Sequence, residues 1–577
     1  MTGSPPRPKN PAAPATSLRL KLAYRTLLLT AATIAAMLAS EPRLSIVWDE
    51  GYTLGREARL RAWSLALEDP SKFAEHWSPP FEELVQQTGA PAPGRAQVGT
   101  YKSLLTDPDV LAWFWPFARE EPHGHPPFYA LVGLVGDVIS PSWAELPRAR
   151  LGPILLFGAT AGVLFAFVAA RWGYWPGCLA WGAWIGQPRL FAHGHYAAYD
   201  AILTCLWVLS ILAFARAVER GPDDATRGPR WGWVLVFGLI LGAAADTKLT
   251  GWFLPLPYFA WSIVTKSRRG LVALVAGGIV ALAVLYLLNP PWWTEPLTGL
   301  ARFLRSNLTR AKTIPIPVLF FGQVVNTPRE SLPWWNTLAW TVLVVPAGFL
   351  IFGVAGAARG LLRRRLEPIG LLALGHWLFL LFLRALPHTP GHDGVRQFLP
   401  AFGVMALVAG LGAASVIERL GRWGRVLIAA ALFEGLASVV LMMPVPLSYY
   451  SPLVGGLPGA TRLGMEPTYY WDALDRGTLD WLDVNTPPNG KIRFATFPTS
   501  WLYLRQTRQI RHGILPTDPG AWRWYVVQNR PGAFSRLDRM LIEAAKPAHV
   551  VEKWGVPLVW VFDYADVDAT IARLSMP

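Results

Sequence analysis

The sequence predicts a polytopic α-helical membrane protein with about eleven transmembrane helices and a small C-terminal extracytoplasmic α/β domain. Three observations carry that reading. Of 577 residues, 52% are hydrophobic and only 16% charged, which lies outside the soluble range. The apolar residues cluster in runs of about 18 or more, each long enough to cross a bilayer. After residue 445 the long runs give way to short alternating segments, the pattern of strands with intervening helices.

Taken in order, residues 1–18 are rich in proline at their start and read as a disordered cytoplasmic N-terminus. Arg19, Lys21 and Arg25 then lead into the first apolar run, and no small-residue cleavage site follows, so this run reads as a retained signal anchor. Spans are expected near 21–40, 150–170, 174–192, 200–216, 231–247, 249–265, 270–288, 338–358, 367–386, 398–417 and 425–443. Short cytoplasmic loops collect Lys and Arg. Arg171, then Arg216, Arg220, Arg227 and Arg230, occupy alternate loops. Lys266, Arg268 and Arg269 continue the series, as do Arg359, Arg363, Arg364 and Arg365, and finally Arg419, Arg422 and Arg425. The register implies a multi-pass protein of the inner or plasma membrane, N-terminus inside and C-terminal domain outside. Residues 128–139 are apolar but short. Counting them as a crossing would invert every later loop, so they read as a helix at the outer surface.

A transmembrane unit thus covers 19–445, with external loops at 41–148 and 289–337, and a soluble α/β domain covers 446–577. Within the latter, 491–497, 522–527 and 556–562 are expected strands. The 29 Trp residues, many near run ends, suit the membrane interface. The net charge of +15 sits in loop clusters between apolar runs, which excludes a nucleic-acid partner and implies the lipid bilayer. Cys178 and Cys205 lie inside apolar segments and imply neither a disulfide framework nor a thiolate metal site.

Chemistry is expected at the outer ends of the spans. Asp49 and Glu50 follow the first span, where a carboxylate is either solvated or a general base for an acceptor hydroxyl. His123 and His125 precede the surface helix, and Pro126 and Pro127 suit a helix start. His193, His195 and Asp200 lie before the fourth span, where Asp200 is also a possible helix cap. Arg148, Arg150, Lys248 and Arg396 are cations on the side that the charge bias disfavours. A lipid phosphate accounts for them, as does pairing with a neighbour such as Asp246 or Asp393. The external histidines, with His388 and His392, also raise a bridging metal.

These residues together resemble the GT-C glycosyltransferases of the protein O-mannosyltransferase and lipid A aminoarabinose transferase kind. Asp49-Glu50 is similar to the acidic motif after the first span, and His125-Pro126-Pro127-Phe128-Tyr129 to the surface-helix motif. Arg148-Ala149-Arg150-Leu151, Asp200, Thr247-Lys248 and Arg396-Gln397-Phe398-Leu399-Pro400 follow in family order over residues 20–445. The tail departs from the family's β-trefoil insert; Tyr449-Tyr450 and Glu466-Pro467-Thr468-Tyr469-Tyr470 resemble the junction of other prokaryotic members.

The resemblance implies a GT-C fold and a polyprenyl-phosphate sugar donor. It implies inverting transfer with Asp49, helped by Glu50, as base. Lys248, Arg396 and one of Arg148 and Arg150 would stabilise the leaving phosphate, and Asp200 and His125 would position substrate. Fixed cations make a metal unnecessary, so no cofactor is expected. Arg310, Lys312, Trp334 and Trp335 in the 289–337 loop are candidates to cover the site. The competing readings are a transporter or lipid-linked sugar flippase, a scaffold presenting the tail, and a ligase using a lipid pyrophosphate. Midplane sites and inverted repeats, the marks of transporters, are not visible. The acceptor, whether protein, lipid or glycan, is not legible.

Overall fold

The computed structural model describes residues 15–78, 92–115, 125–219, 228–313, 317–326, 330–363, 367–389, 391 and 393–574. Among them, seven helices are long and apolar enough to cross a membrane by length and composition: Arg19–Arg43, Glu145–Trp172, Tyr199–Val218, Arg268–Leu287, Pro368–Ala385, Pro400–Leu420 and Arg422–Met442. Shorter apolar helices, among them Trp231–Ala245, Leu249–Val264 and Ala347–Leu362, lie at the other expected spans. Small residues let these helices approach closely. A Cβ on Gly356 would come within 1.9 Å of the Val408 carbonyl, and one on Gly412 within 1.9 Å of the Phe352 carbonyl, so this crossing is closed to larger residues from both sides.

Two expected spans are interrupted. The 174–192 segment divides into Tyr174–Ile185 and Pro188–His195. Pro188 takes the first position of the second helix, and Gln187 bonds the carbonyls of Ala183 (2.6 Å) and Phe402 (3.1 Å) at the gap. The 338–358 segment divides into Asn336–Val344 and Ala347–Leu362 at Pro346, which cannot donate to the preceding turn. The amides of Ala347 and Gly348 there donate to the carboxylate of Glu434, both at 2.7 Å. In hydrocarbon a freed backbone group is costly, and an acidic side chain on the neighbouring apolar helix relieves that cost.

The expected surface helix is two short pieces, Phe128–Gly133 and Val135–Ile139, laid across the start of Glu145–Trp172. The long second loop holds an unforeseen hairpin, β1 (Pro317–Phe320) and β2 (Gln323–Asn326). The tail forms a four-stranded sheet from β3 (Lys491–Phe494), β4 (Trp522–Gln528), β5 (His549–Lys553) and β6 (Val556–Asp563). Its order is β3-β4-β6-β5, with β3 and β4 parallel and the other pairs antiparallel. The tail does not keep a core to itself. Tyr449, Tyr469, Trp471, Ile492 and Val526 belong to the same buried apolar cluster as the helices, and a smaller cluster around Tyr525 and Phe562 lies on the sheet's other face.

Candidate active site

The first helix ends in a turn, Glu41–Arg43, and helix Trp48–Glu68 begins with Val47 as its cap. Successive side chains on a helix diverge by about 100°, so Asp49 and Glu50 face different surroundings. Glu50 turns into the bundle. Its Oε2 accepts from the Val47 amide (3.0 Å) and Arg150 Nη2 (2.7 Å), and its Oε1 from the Ala197 amide (3.0 Å) and Arg150 Nε (2.7 Å). Arg150 also donates to Glu41 and to the carbonyls of Leu44 and Ser45. All five of its N–H groups are thereby used, so Arg150 is an anchor and has no donor left for a phosphate. Arg148, two residues earlier and so on the opposite face, pairs with Asp137 (2.8 Å) away from the cluster.

Asp49 faces the other way. Its Oδ2 accepts from Arg396 Nη1 (2.6 Å) and from the Tyr470 hydroxyl (2.7 Å). Among the described residues its second oxygen, Oδ1, has no hydrogen-bond donor. Arg396 reaches the Tyr199 hydroxyl (2.9 Å), Asp393 (2.8 Å) and Asp200 (3.5 Å) as well. Asp200 in turn accepts from Lys248 Nζ at 2.7 Å, and Gln397 meets the same ammonium at 3.3 Å. Asp200 therefore holds Lys248 rather than capping its helix, whose cap position is Ala198. Lys248 pairs with Asp200 and not with Asp246, which is bonded to Asn289 instead. His125 lies against Tyr199, ring centroids 3.9 Å apart, and the following Phe128 amide donates to the Asp246 carbonyl.

Five of the eight candidates, Asp49, His125, Asp200, Lys248 and Arg396, thus meet at one end of the bundle, while Glu50 and Arg150 form the scaffold beneath them. His195 is structural, with Nδ1 on the Phe191 carbonyl and Nε2 on Ser40 and the Met37 carbonyl. His123 and His392 lie outside the described residues, as do the side chains of Arg310 and Lys312. Among the described residues no group of three His, Cys, Asp or Glu converges as a metal site.

Tyr470, Tyr199 and Arg530 complete the cluster without having been singled out for it, and Asp393 joins them as the neighbour expected to pair with Arg396. Tyr470 and Trp471 both have positive φ (61° and 65°), a strained conformation for consecutive non-glycine residues. That turn delivers the Tyr470 hydroxyl to Asp49 and its carbonyl to the Trp48 amide (3.0 Å). Arg530, from the tail, reaches Asp393 (3.3 Å) and lies 3.8 Å from the wholly buried Glu466. Burial pushes the Glu466 carboxyl up to about 7 against the opposing charge of Arg530, and burial likewise raises Asp472 to about 7. The only advance signal for Tyr470 was an aromatic doublet beside an acidic residue.

With this geometry the cluster holds one carboxylate by a single oxygen and sets two cations around it. Residues 125–293 match the dolichyl-phosphate-mannose-protein mannosyltransferase family. That segment contains His125, Asp200 and Lys248. The structure is similar to that of ArnT from Cupriavidus metallidurans bound to undecaprenyl phosphate, with TM-score 0.48 and 13% identity over 98% of this chain and 100% of that one. It is also similar to the archaeal oligosaccharyltransferase AglB from Archaeoglobus fulgidus in complex with an inhibitory peptide and a dolichol-phosphate, with TM-score 0.44 and 12% identity over 88% of this chain and 69% of that one. No curated protein matches the chain.

Proposed function

We propose that the chain is a membrane glycosyltransferase of the GT-C kind that moves a monosaccharide from a polyprenyl-phosphate donor to an acceptor hydroxyl at the extracytoplasmic face, with inversion. The observation that carries this reading is the state of Asp49. One oxygen is fixed by Arg396 and Tyr470, and the other is left to accept a proton from an incoming hydroxyl. A base oriented in this way contributes about 10²–10⁴ in rate. In the step proposed, Oδ1 takes the acceptor proton and the acceptor oxygen bonds the anomeric carbon from the face opposite the phosphate. The bond from that carbon to the phosphate oxygen breaks, and the lipid phosphate leaves with the electron pair. Lys248 and Arg396 meet the charge that develops on it. Both cations are already held in place by carboxylates, so the reading assigns leaving-group stabilisation to side chains and needs no metal. The family match on residues 125–293 supports a lipid-phosphate donor.

The test is turnover of radiolabelled polyprenyl-phosphate sugars by the purified chain, compared with Asp49→Asn and Lys248→Ala. Loss of sugar release or transfer in Asp49→Asn with donor binding retained, and weaker donor binding in Lys248→Ala, is expected. Full activity in Asp49→Asn would overturn the base assignment. Donor binding without turnover in any membrane-derived acceptor pool would favour a lipid-linked sugar flippase.

A further inference from the structure

Beside the Asp49–Arg396 pair is a small cavity lined by Arg189, His193, Asp393, Arg396, Tyr469 and Tyr470, among others. Lys248 and Asp200 are not in its lining. Arg189 comes from the short helix Pro188–His195 that follows the break at Gln187, and it is 3% exposed. Its guanidinium is caged by aromatic rings, 5.5 Å from Trp340, 4.6 Å from Tyr450 and 4.8 Å from Tyr469. Nε donates to the Tyr449 carbonyl at 3.0 Å. Gly394, at φ +59°, passes so close that a Cβ there would sit 3.1 Å from Nη1.

What Arg189 lacks among the described residues is a paired anion. The neighbouring buried arginines each have one: Arg150 has Glu50, Arg396 has Asp49 and Asp393, and Arg530 has Asp393. Among the described residues no carboxylate pairs with Arg189, and its buried Nη2 has no hydrogen-bond partner. Asp472 nearby accepts from Thr468 instead. A buried, uncompensated charge is costly. Three aromatic faces recover part of that cost, but a ring face offers nothing to an in-plane N–H. The open edge of a guanidinium is a planar fork matched to an oxyanion.

We infer that this cavity binds an acidic group, a carboxylate or phosphate, carried by the acceptor. The inference rests on the glycosyltransferase reading and extends it to the acceptor's chemical class. Arg396 and Tyr470 line the cavity and also hold Asp49, so a molecule seated on Arg189 lies one side chain from the base. Of the two cations assigned to the donor phosphate, Arg396 lines the cavity and Lys248 does not, so the two anion sites meet at Arg396 and are told apart by Arg189 on one side and Lys248 on the other.

The experiment measures equilibrium binding of methyl phosphate, of a polyprenyl-phosphate sugar and of a polyprenyl-pyrophosphate sugar to the full chain in nanodiscs, with wild type, Arg189→Met and Arg189→Lys. Expected is a loss of at least about tenfold in methyl phosphate affinity in Arg189→Met, one charge-assisted fork, with donor affinity changed less than twofold. Methyl phosphate is also expected to bind without displacing the donor. Arg189→Lys, which keeps a cation in the cage, is expected to fold and to bind methyl phosphate more weakly than wild type. If Arg189→Met does not fold, that variant decides the matter, and wild-type affinity in it overturns the site. Unchanged methyl phosphate binding in Arg189→Met, or displacement of methyl phosphate by the monophosphate donor, overturns the site as well. A loss confined to the pyrophosphate donor would assign the anion to a second donor phosphate and overturn the acceptor role. Absence of donor binding in wild type, with methyl phosphate still dependent on Arg189, would instead refute the proposed function.

Discussion

Replacing Glu50 with Gln separates anchoring from chemistry in the adjacent acidic pair. Glu50 is wholly buried and accepts four hydrogen bonds, two from Arg150 and one each from the amides of Val47 and Ala197. A carboxylate offers about four lone-pair sites, so none is left to take a proton from a substrate. Glutamine keeps the shape but turns one oxygen into a donor. Two of the four bonds then set donor against donor, and Arg150 retains only Glu41 as counter-ion. Removing one partner of a buried pair costs about 3–5 kcal/mol. At Asp49 the corresponding change to Asn leaves Arg396 with Asp393 at 2.8 Å and Asp200 at 3.5 Å. Its cost is closer to that of one hydrogen bond to a charged group, about 1.5–3 kcal/mol. Unfolding by SDS in mixed micelles, followed by tryptophan fluorescence, measures both stability costs, and donor turnover per folded molecule measures the chemistry. Glu50→Gln is expected to lose the more stability and keep turnover, and Asp49→Asn to lose less stability but about 10²–10⁴ in rate. A Glu50→Gln protein as stable as wild type, with turnover down by a comparable factor, would refute the division of labour.

Arg148→Ala is expected to leave donor affinity unchanged and to cost at most about 1 kcal/mol, because its partner Asp137 keeps Arg61 at 2.8 Å; donor binding and SDS unfolding check both parts. Glu466 sets a pH dependence of stability. Unfolded, a glutamate loses its proton near ~4.3, whereas the folded chain keeps it to about 7. Between those values the unfolded state binds fewer protons, so stability falls as pH rises and levels off above 7. Asp472 acts with the same sign, and unfolding free energies across that window should fall less steeply in Glu466→Gln than in wild type. Finally, a Cβ on Gly51 would meet the Thr499 carbonyl oxygen at 2.4 Å and the Ser500 amide at 2.6 Å, backbone atoms that cannot swing aside. Gly51→Ala should cost about 1–3 kcal/mol, as overpacking does, and lower turnover by shifting Asp49; equal unfolding curves would contradict it.

The helical architecture and the acidic and basic members of the cluster were legible because hydropathy and loop charge act locally. Asp49, Asp200, Lys248 and Arg396 each stand near the end of an apolar run, and runs packed side by side bring such ends together. Local signals could not tell Arg148 from Arg150. Two residues apart on a helix they face opposite ways, and only the position of Glu50 makes one an anchor and the other a peripheral pair. Hydropathy averaged over a window also hid the breaks before Pro188 and Ala347, although Glu434 inside an apolar run was an available clue to the second. The hairpin of β1 and β2 was missed because four-residue strands leave little periodicity to read. Tyr470 and Arg530 act through contacts far along the chain, which no spacing reveals, whereas the pairing of Asp393 with Arg396 three residues on was legible from spacing. Arg189 was hidden for another reason: its meaning lies in the carboxylate it does not have.

The bond between Asp49 and Tyr470 joins residues 421 positions apart. At synthesis rates of about 5–20 residues per second, roughly 20–80 s separate the appearance of the acid from that of the group that orients it. Throughout that interval the nascent protein has its membrane helices under construction but lacks the hydroxyl that Asp49 accepts from. On the proposed function, products that end before Tyr470 lack the hydroxyl that orients the base, and competence waits for the segment around Tyr470 to be made and docked. The turn at Tyr470 and Trp471 ties the proposed base to a segment made long after it.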